Sequence, residues 1–274
     1  MIDTFKYNDK ISIMGILNLT PDSFYDGGKW NKQSEIQSKI EKWVKLGIDI
    51  IDVGCESSRP GSLPISINEE INRLEIIIPI IKLFPNTIFS IDTYKPKVAE
   101  YALKNGFHII NDIFGGSIEM FEIAKEYNAP IIIMHMLGNP TDMQNNPVYI
   151  KLINEINLFF KDKILQAQNI GLSKNQLILD PGIGFGKSIN DNDNILKNIN
   201  SFKQYGCPIL IGTSRKSFLK INDNPECRLS NSISSLTIAF LNGANIIRVH
   251  DVRESIKVKK FLQRYSQNLE LEIV

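Results

Sequence analysis

Eight times along this chain a short apolar run stops at a polar residue, and a helix-patterned stretch follows before the next run. The runs fall at 11–17, 48–53, 88–91, 109–110, 131–134, 177–179, 209–212 and 246–249. Short apolar runs bounded by turn residues read as buried strands. Strands alternating with helices read as βα units with a parallel sheet. Eight such units in 274 residues close the count of a (β/α)8 barrel, the TIM-barrel fold. The expectation is one α/β domain over residues 1–274, with a doubly wound open sheet as the alternative.

The helices are expected at 34–46, with Ser34 as cap, then 66–84, 96–105, 118–127, 149–169, 195–205, 230–241 and 254–265. Ser66 and Glu69 have capping-box spacing, and Pro79 should kink the helix they open. Residues 5–12, around Asn8-Asp9, suit a small leading hairpin.

Composition narrows the function. A net charge of +1 gives no support for a nucleic-acid or membrane-surface partner. No apolar run approaches the ~20 residues of a membrane span. The charged start (Asp3, Lys6, Asp9, Lys10) is unlike a signal peptide. Three cysteines without metal or redox spacing suit a reducing cytosol, so the expected location is cytoplasmic.

In a barrel the carboxyl ends of the strands share one mouth. Here they carry Asn18, Ser58 with Arg59, Asp92, Asn111, Met134 with His135, Asp180, Lys216, and Arg248 with His250. Asp180 stands out. It ends an apolar strand and is followed by Pro181 and the alternating glycines Gly182, Gly184 and Gly186, a loop few other sequences can adopt. A lone carboxylate there is costly unless something pairs with it. The segment is no phosphate-binding P-loop, because Pro181 stands where that motif needs its first glycine.

The strand-end residues divide by chemistry. Asp92, Asn111 and Asp180 offer acceptors and an amide suited to a flat heterocycle with several N–H donors, and Lys216 adds a cation. Arg59, Arg248 and His250 form a cationic group that suits phosphate oxygens. Asn18 and Ser58 could complete an anion or magnesium-phosphate site.

Five segments carry a family resemblance: 14–28 (MGILNLTPDSFYDGG), 52–61 (DVGCESSRPG), 180–187 (DPGIGFGK), 214–216 (SRK) and 248–251 (RVHD). In this order they closely resemble dihydropteroate synthases. Such enzymes join 6-hydroxymethyl-7,8-dihydropterin pyrophosphate to p-aminobenzoate and release pyrophosphate, in folate biosynthesis. The resemblance implies that Asp92, Asn111, Asp180 and Lys216 hold the pterin ring, with Met134, Phe185 and Gly212 walling its pocket. It implies that Asn18, Ser58, Arg59, Arg248 and His250 take the pyrophosphate, with Asn18 also meeting Mg2+. Phe24, Asp26 and Ser217 match positions around p-aminobenzoate. Asp26, Arg59, Lys216, Arg248 and His250 are the residues expected to carry catalysis. A homodimer and sulfonamide sensitivity follow from the same likeness. Two departures stand out: Ser58 replaces the usual Thr and keeps the hydroxyl, and Cys55 replaces Gly or Ala. A thiol at the mouth would be open to oxidation or alkylation.

Plainer readings sit beside these. His108 precedes its strand and reads as structural. His135 reads as a satisfied barrel-top histidine, Lys187 as a solvated charge, and Asp112 as an inter-strand or capping acid. Asp22 would organise its own loop. Asp52 and Glu56 would position Arg59 or neighbouring backbone. The rival functions are a pterin-dependent corrinoid methyltransferase and a pterin-binding barrel without catalysis. A methyltransferase needs no pyrophosphate site, and the intact Asp26, Lys216 and Arg248 argue against a degraded copy.

Overall fold

The computed structural model describes residues 11–20, 29–57, 61–139, 142–143, 146–220 and 227–271. Eight parallel strands form one sheet: β1 Ser12–Asn18, β2 Ile50–Gly54, β3 Ile88–Asp92, β4 Ile109–Asp112, β5 Ile131–Met134, β6 Leu177–Asp180, β7 Leu210–Ile211 and β8 Ile246–Val249. Each strand pairs with its sequence neighbour, and β1 pairs with β8. The remaining edge, between β6 and β7, is closed by a parallel bridge from Leu179 to Ile209. That ring is a (β/α)8 barrel and excludes the open doubly wound sheet.

Register explains what the barrel holds. Met14, Ile50, Ile88, Ile109, Ile132, Ile178, Leu210 and Ile246 form an apolar cluster with one residue from each strand. This plugs the interior. Alternate strand residues face the same side, so the next inward level holds Ile16, Asp52, Ser90, Asn111, Met134, Asp180, Gly212 and Arg248. One step toward the mouth, the interior changes from wholly apolar to largely polar. The outward residues between them, such as Val53, Ile91, Ile133 and Leu179, pack under the helices in a second, larger cluster.

The helices are α1 Lys29–Leu46, α2 Ile67–Leu74, α3 Ile78–Ile81, α4 Pro96–Lys104, α5 Ile118–Glu126, α6 Leu152–Ile170, α7 Ile189–Lys197, α8 Cys227–Leu241 and α9 Val252–Leu271. The single helix expected over 66–84 is two. Ser66 caps α2 by accepting from the Glu69 amide at 3.2 Å. Pro79 sits in the first turn of α3, where its missing N–H costs nothing, so the chain breaks before it instead of kinking through it. The first helix begins at Lys29, which leaves Ser34 inside it. The helix expected from 195 starts earlier, at a capping box in which Ser188 and Asp191 satisfy each other's backbone amides. Its later half, Ile199–Tyr205, is a 3-10 helix. The proposed hairpin at 5–12 falls mostly outside the described residues.

Candidate active site

Asp180 ends β6 with only 7% exposure. Its Oδ1 accepts from the Gly182 amide at 2.7 Å, which turns the chain back over the mouth. Burial pushes its carboxyl pKa upward, opposed by Lys216, Lys187 and Arg248 and by the Gly182 bond. The glycines are required. Gly182 has φ +69, and a Cβ there would lie 1.9 Å from the His135 carbonyl oxygen. Gly186 has φ +60, and its Cβ would meet the Leu137 carbonyl oxygen at 2.4 Å. The loop lies backbone-to-backbone on the end of β5 in a conformation that side chains rarely allow.

Lys216 follows β7 and reaches across to donate to the Ile183 carbonyl. Its ammonium stands 4.7 Å from the Phe185 ring centroid, a cation–π contact. Desolvation lowers its pKa to about 8, resisted by Asp180 and reinforced by Arg248. Met134 (3% exposed) and Gly212 stand at the same inward level.

From β8, which neighbours β7, an ion-pair chain runs across the mouth. Arg248 donates from Nε to Asp52 Oδ2 and from Nη2 to Asp92 Oδ2, both at 2.6 Å. Asn111 donates from Nδ2 to the same Asp52 oxygen at 3.0 Å. Asp52 is fully buried, and its Oδ1 has no hydrogen-bond partner among the described residues. Burial, Asp52, Glu70 and Asp112 raise the Asp92 pKa to about 7 against the pull of Arg248. The two groups that the sequence separates by chemistry are in contact here, because Arg248 lies on Asp52 and Asp92.

Sequence reasoning missed Asp52 as a member of the site. Its signal was parity, since it lies two residues after the inward Ile50 in a buried strand. Asn18 sits level with Gly54 and Asp92 across the three paired strands. A Cβ on Gly54 would lie 3.4 Å from Asn18 Oδ1 and 3.6 Å from Asp92 Oδ2. Beside Asp92 is a cavity of about 170 Å³, lined in part by Glu70, Thr93, Tyr94, Ile113 and Phe114.

His250 stands exposed just past β8, with Nδ1 3.3 Å from Ser214 Oγ. Ser217 is exposed and opens the short 3-10 helix Ser217–Leu219. Arg215 turns outward to Asp251. Phe24, Asp26, Ser58 and Arg59 lie outside the described residues, as does Asp22.

Several plainer readings are settled. His108 accepts from the Phe89 amide at the far end of the barrel, a structural role. Asp112 accepts from the Phe114 and Gly116 amides and shapes the loop after β4. Glu56 accepts from the Ile65 amide and from Tyr94, and pairs with Lys95. Two expectations are overturned. Lys187 is buried at 3% exposure, not solvated. Cys55 is fully buried, and burial together with Glu70 raises its thiol pKa, so it is protected from the chemistry a mouth thiol would invite.

The mouth gathers a buried acid on a glycine loop, an amide, a lysine and a carboxylate-held arginine, a set of donors and acceptors that suits a flat polar ring. A family described as pterin binding enzymes matches residues 14–250, and the chain belongs to it. Within that family its likeness is to dihydropteroate synthases. The Escherichia coli (strain K12) dihydropteroate synthase is 40% identical over 257 residues, which span 92% of this chain and 90% of that protein. A Clostridium difficile dihydropteroate synthase crystallised in the presence of pteroic acid superposes with a TM-score of 0.86 at 38% identity, covering 94% of this chain and 97% of that one. The Yersinia pestis dihydropteroate synthase in a sulfonamide drug complex also superposes with a TM-score of 0.86, at 36% identity over 94% of this chain and 95% of that one.

Proposed function

We infer that this chain is a dihydropteroate synthase acting in folate biosynthesis, and we propose the following division of labour at its mouth. Asp180, Asn111 and Asp92 read the donor edge of the pterin ring, Lys216 meets a ring acceptor, and Met134, Phe185 and Gly212 bound the ring faces. Arg248, His250, Asn18 and the loop residues Ser58 and Arg59 take the pyrophosphate. Phe24, Asp26 and Ser217 meet p-aminobenzoate. The observation that carries the reading is the convergence of Asp180, Lys216, Asn111, Asp92 and Arg248 on one mouth, above an apolar plug.

The chemistry needs no enzyme nucleophile. The C–O bond of the pterin pyrophosphate breaks heterolytically, its electron pair leaving with pyrophosphate. The aniline nitrogen of p-aminobenzoate attacks the resulting methylene cation and then loses its proton. Arg248 and its neighbours stabilise the leaving group, while the ring pocket positions the electrophile and excludes water.

Mg2+ fits here as an ion shared with the substrate. Among the described residues no group of three or more His, Cys, Asp or Glu could hold it alone. Asn18 offers one side-chain oxygen, and Mg2+ commonly takes one or two protein oxygens with the rest from phosphates and water. When bound it neutralises leaving-group charge. No helix among the described residues is long and apolar enough to cross a membrane. The family likeness further suggests a cytoplasmic homodimer, and sedimentation of the purified protein tests the dimer.

The deciding assay mixes purified protein, the pterin pyrophosphate, p-aminobenzoate and Mg2+, and follows products by chromatography. Dihydropteroate and pyrophosphate should appear in equal amounts. Pyrophosphate without dihydropteroate, or neither, would overturn the assignment.

A further inference from the structure

Outside the residues assigned above, one buried cation stands among groups that leave it no role in charge compensation at the surface. Lys187 Nζ lies 2.9 Å from the Phe185 carbonyl oxygen, 3.2 Å from the His135 carbonyl oxygen and 3.1 Å from His135 Nδ1. An ammonium has three protons, and here each finds one acceptor. With Lys187 as the ammonium, His135 Nδ1 accepts and its proton sits on Nε2. Burial lowers the Lys187 pKa to about 7 against the pull of Asp180, so the ammonium is the main form below that value. Desolvation and Lys187 together hold the His135 pKa down at about 3, which keeps the ring in that neutral form.

The loop so gripped is the one that carries the ring pocket. Phe185 lies under Lys216, and Gly182 presses on the His135 carbonyl. Tyr149 adds a bond to the Gly186 carbonyl at 2.8 Å, and Asn192 accepts from the Gly184 amide at 2.7 Å. The charged groups around Lys187 are Asp180, Lys216 and Asp191, and the Tyr149 ring centroid lies 6.0 Å from its ammonium.

We propose that Lys187, acting through His135, is a positioning residue for the pterin ring: it ties the end of β5 to the Phe185 carbonyl and so sets the loop that shapes the ring pocket. Neither residue touches the substrate. The inference rests on the reading of this mouth as a pterin site.

The test is calorimetry with two probes, pteroic acid for the ring pocket and inorganic pyrophosphate with Mg2+ for the anion site. Lys187→Met should weaken pteroic acid roughly fivefold or more while leaving pyrophosphate affinity as in the wild type. His135→Leu should do the same. His135→Asn, whose side-chain oxygen can stand in for Nδ1, should restore most of the affinity. If Lys187→Met does not fold, the contrast between the Leu and Asn variants decides alone. Wild-type pteroic acid affinity in Lys187→Met, equal loss for both probes, or no difference between the two His135 variants would overturn the positioning role. Asp180→Asn is the control. If it weakens pteroic acid while Lys187→Met does not, only this inference fails. If the wild type binds no pteroic acid, the pterin reading fails with it.

Discussion

Asp52 holds Arg248 in place from the middle of a strand: the arginine Nε lies 2.6 Å from Asp52 Oδ2, with the carboxylate fully buried. The same oxygen accepts from Asn111, so one atom sets the positions of a proposed pyrophosphate ligand and a proposed pterin ligand. A buried charge that loses its last partner costs ~3–5 kcal/mol.

Arg248 keeps Asp92 when Asp52 is replaced, so Asp52→Asn should cost less, about 1–3 kcal/mol. The urea midpoint should fall with the slope unchanged. Pteroic acid and pyrophosphate should both bind more weakly. An unchanged midpoint would mean the pair contributes nothing to the fold.

Two pKa shifts of opposite sense predict a narrow pH optimum. Burial, with Asp52, Glu70 and Asp112, raises Asp92 to about 7 against the pull of Arg248, and burial, with Arg248, lowers Lys216 to about 8 against the pull of Asp180. The proposed ring contacts need Asp92 ionised and Lys216 protonated. The kcat/KM profile should therefore be bell-shaped, rising through about 7 and falling through about 8. Asp92→Asn should remove the acid limb, and Lys216→Arg should move the basic limb upward. The effects on stability run the other way. Asp92 has a folded value above its ordinary 3.8, so its contribution is present below that value and lost as pH rises through about 7. Lys216 has a folded value below its ordinary 10.5, so stability is regained as pH climbs from about 8. A flat activity profile between pH 6 and 9 would contradict both assignments.

The barrel was legible because eight apolar runs with alternating helical stretches leave little else for the chain to form. Asp180 was legible because Pro181 and three spaced glycines mark a special loop. Asp52 was hidden: inside an apolar run an acid looks like a neighbour of the next loop, and only the inward parity it shares with Ile50 places it beneath Arg248. Lys187 follows the glycines like any surface lysine, and nothing local shows that His135, 52 residues away, supplies its acceptor. Cys55 reads as a mouth residue from its motif, yet it packs outward with the buried shell around the barrel. The Pro79 break and the Ser188 start of α7 follow from local rules: proline suits a first helical turn better than an interior, and Ser188 with Asp191 makes a capping box well before the expected start at 195.

The second substrate should depend on the first. Asp26 and Arg59, expected around p-aminobenzoate and pyrophosphate, belong to segments outside the described residues. In the proposed site, pyrophosphate with Mg2+ would supply charge for Arg59 and anchors for Asn18 and Ser58. Calorimetry should show p-aminobenzoate binding poorly to the free protein and measurably tighter with pterin, pyrophosphate and Mg2+ present. A sulfonamide should show the same dependence, and p-aminobenzoate should relieve its inhibition. Equal affinity in both states would mean a preformed pocket and no ordered binding.

In the proposed site the Asp180 carboxylate reads the donor edge of the pterin ring. Asp180→Asn keeps the shape, but an amide oxygen can still receive the Gly182 amide only by turning an NH2 toward the ring's own donors. A mispaired buried group costs about 1–3 kcal/mol, and more where a charge is involved. The measurement is the pteroic acid dissociation constant of wild type and Asp180→Asn by calorimetry, with circular dichroism confirming an intact fold. Affinity should be at least roughly fivefold weaker in the variant. An unchanged dissociation constant in a folded variant would contradict this role for Asp180.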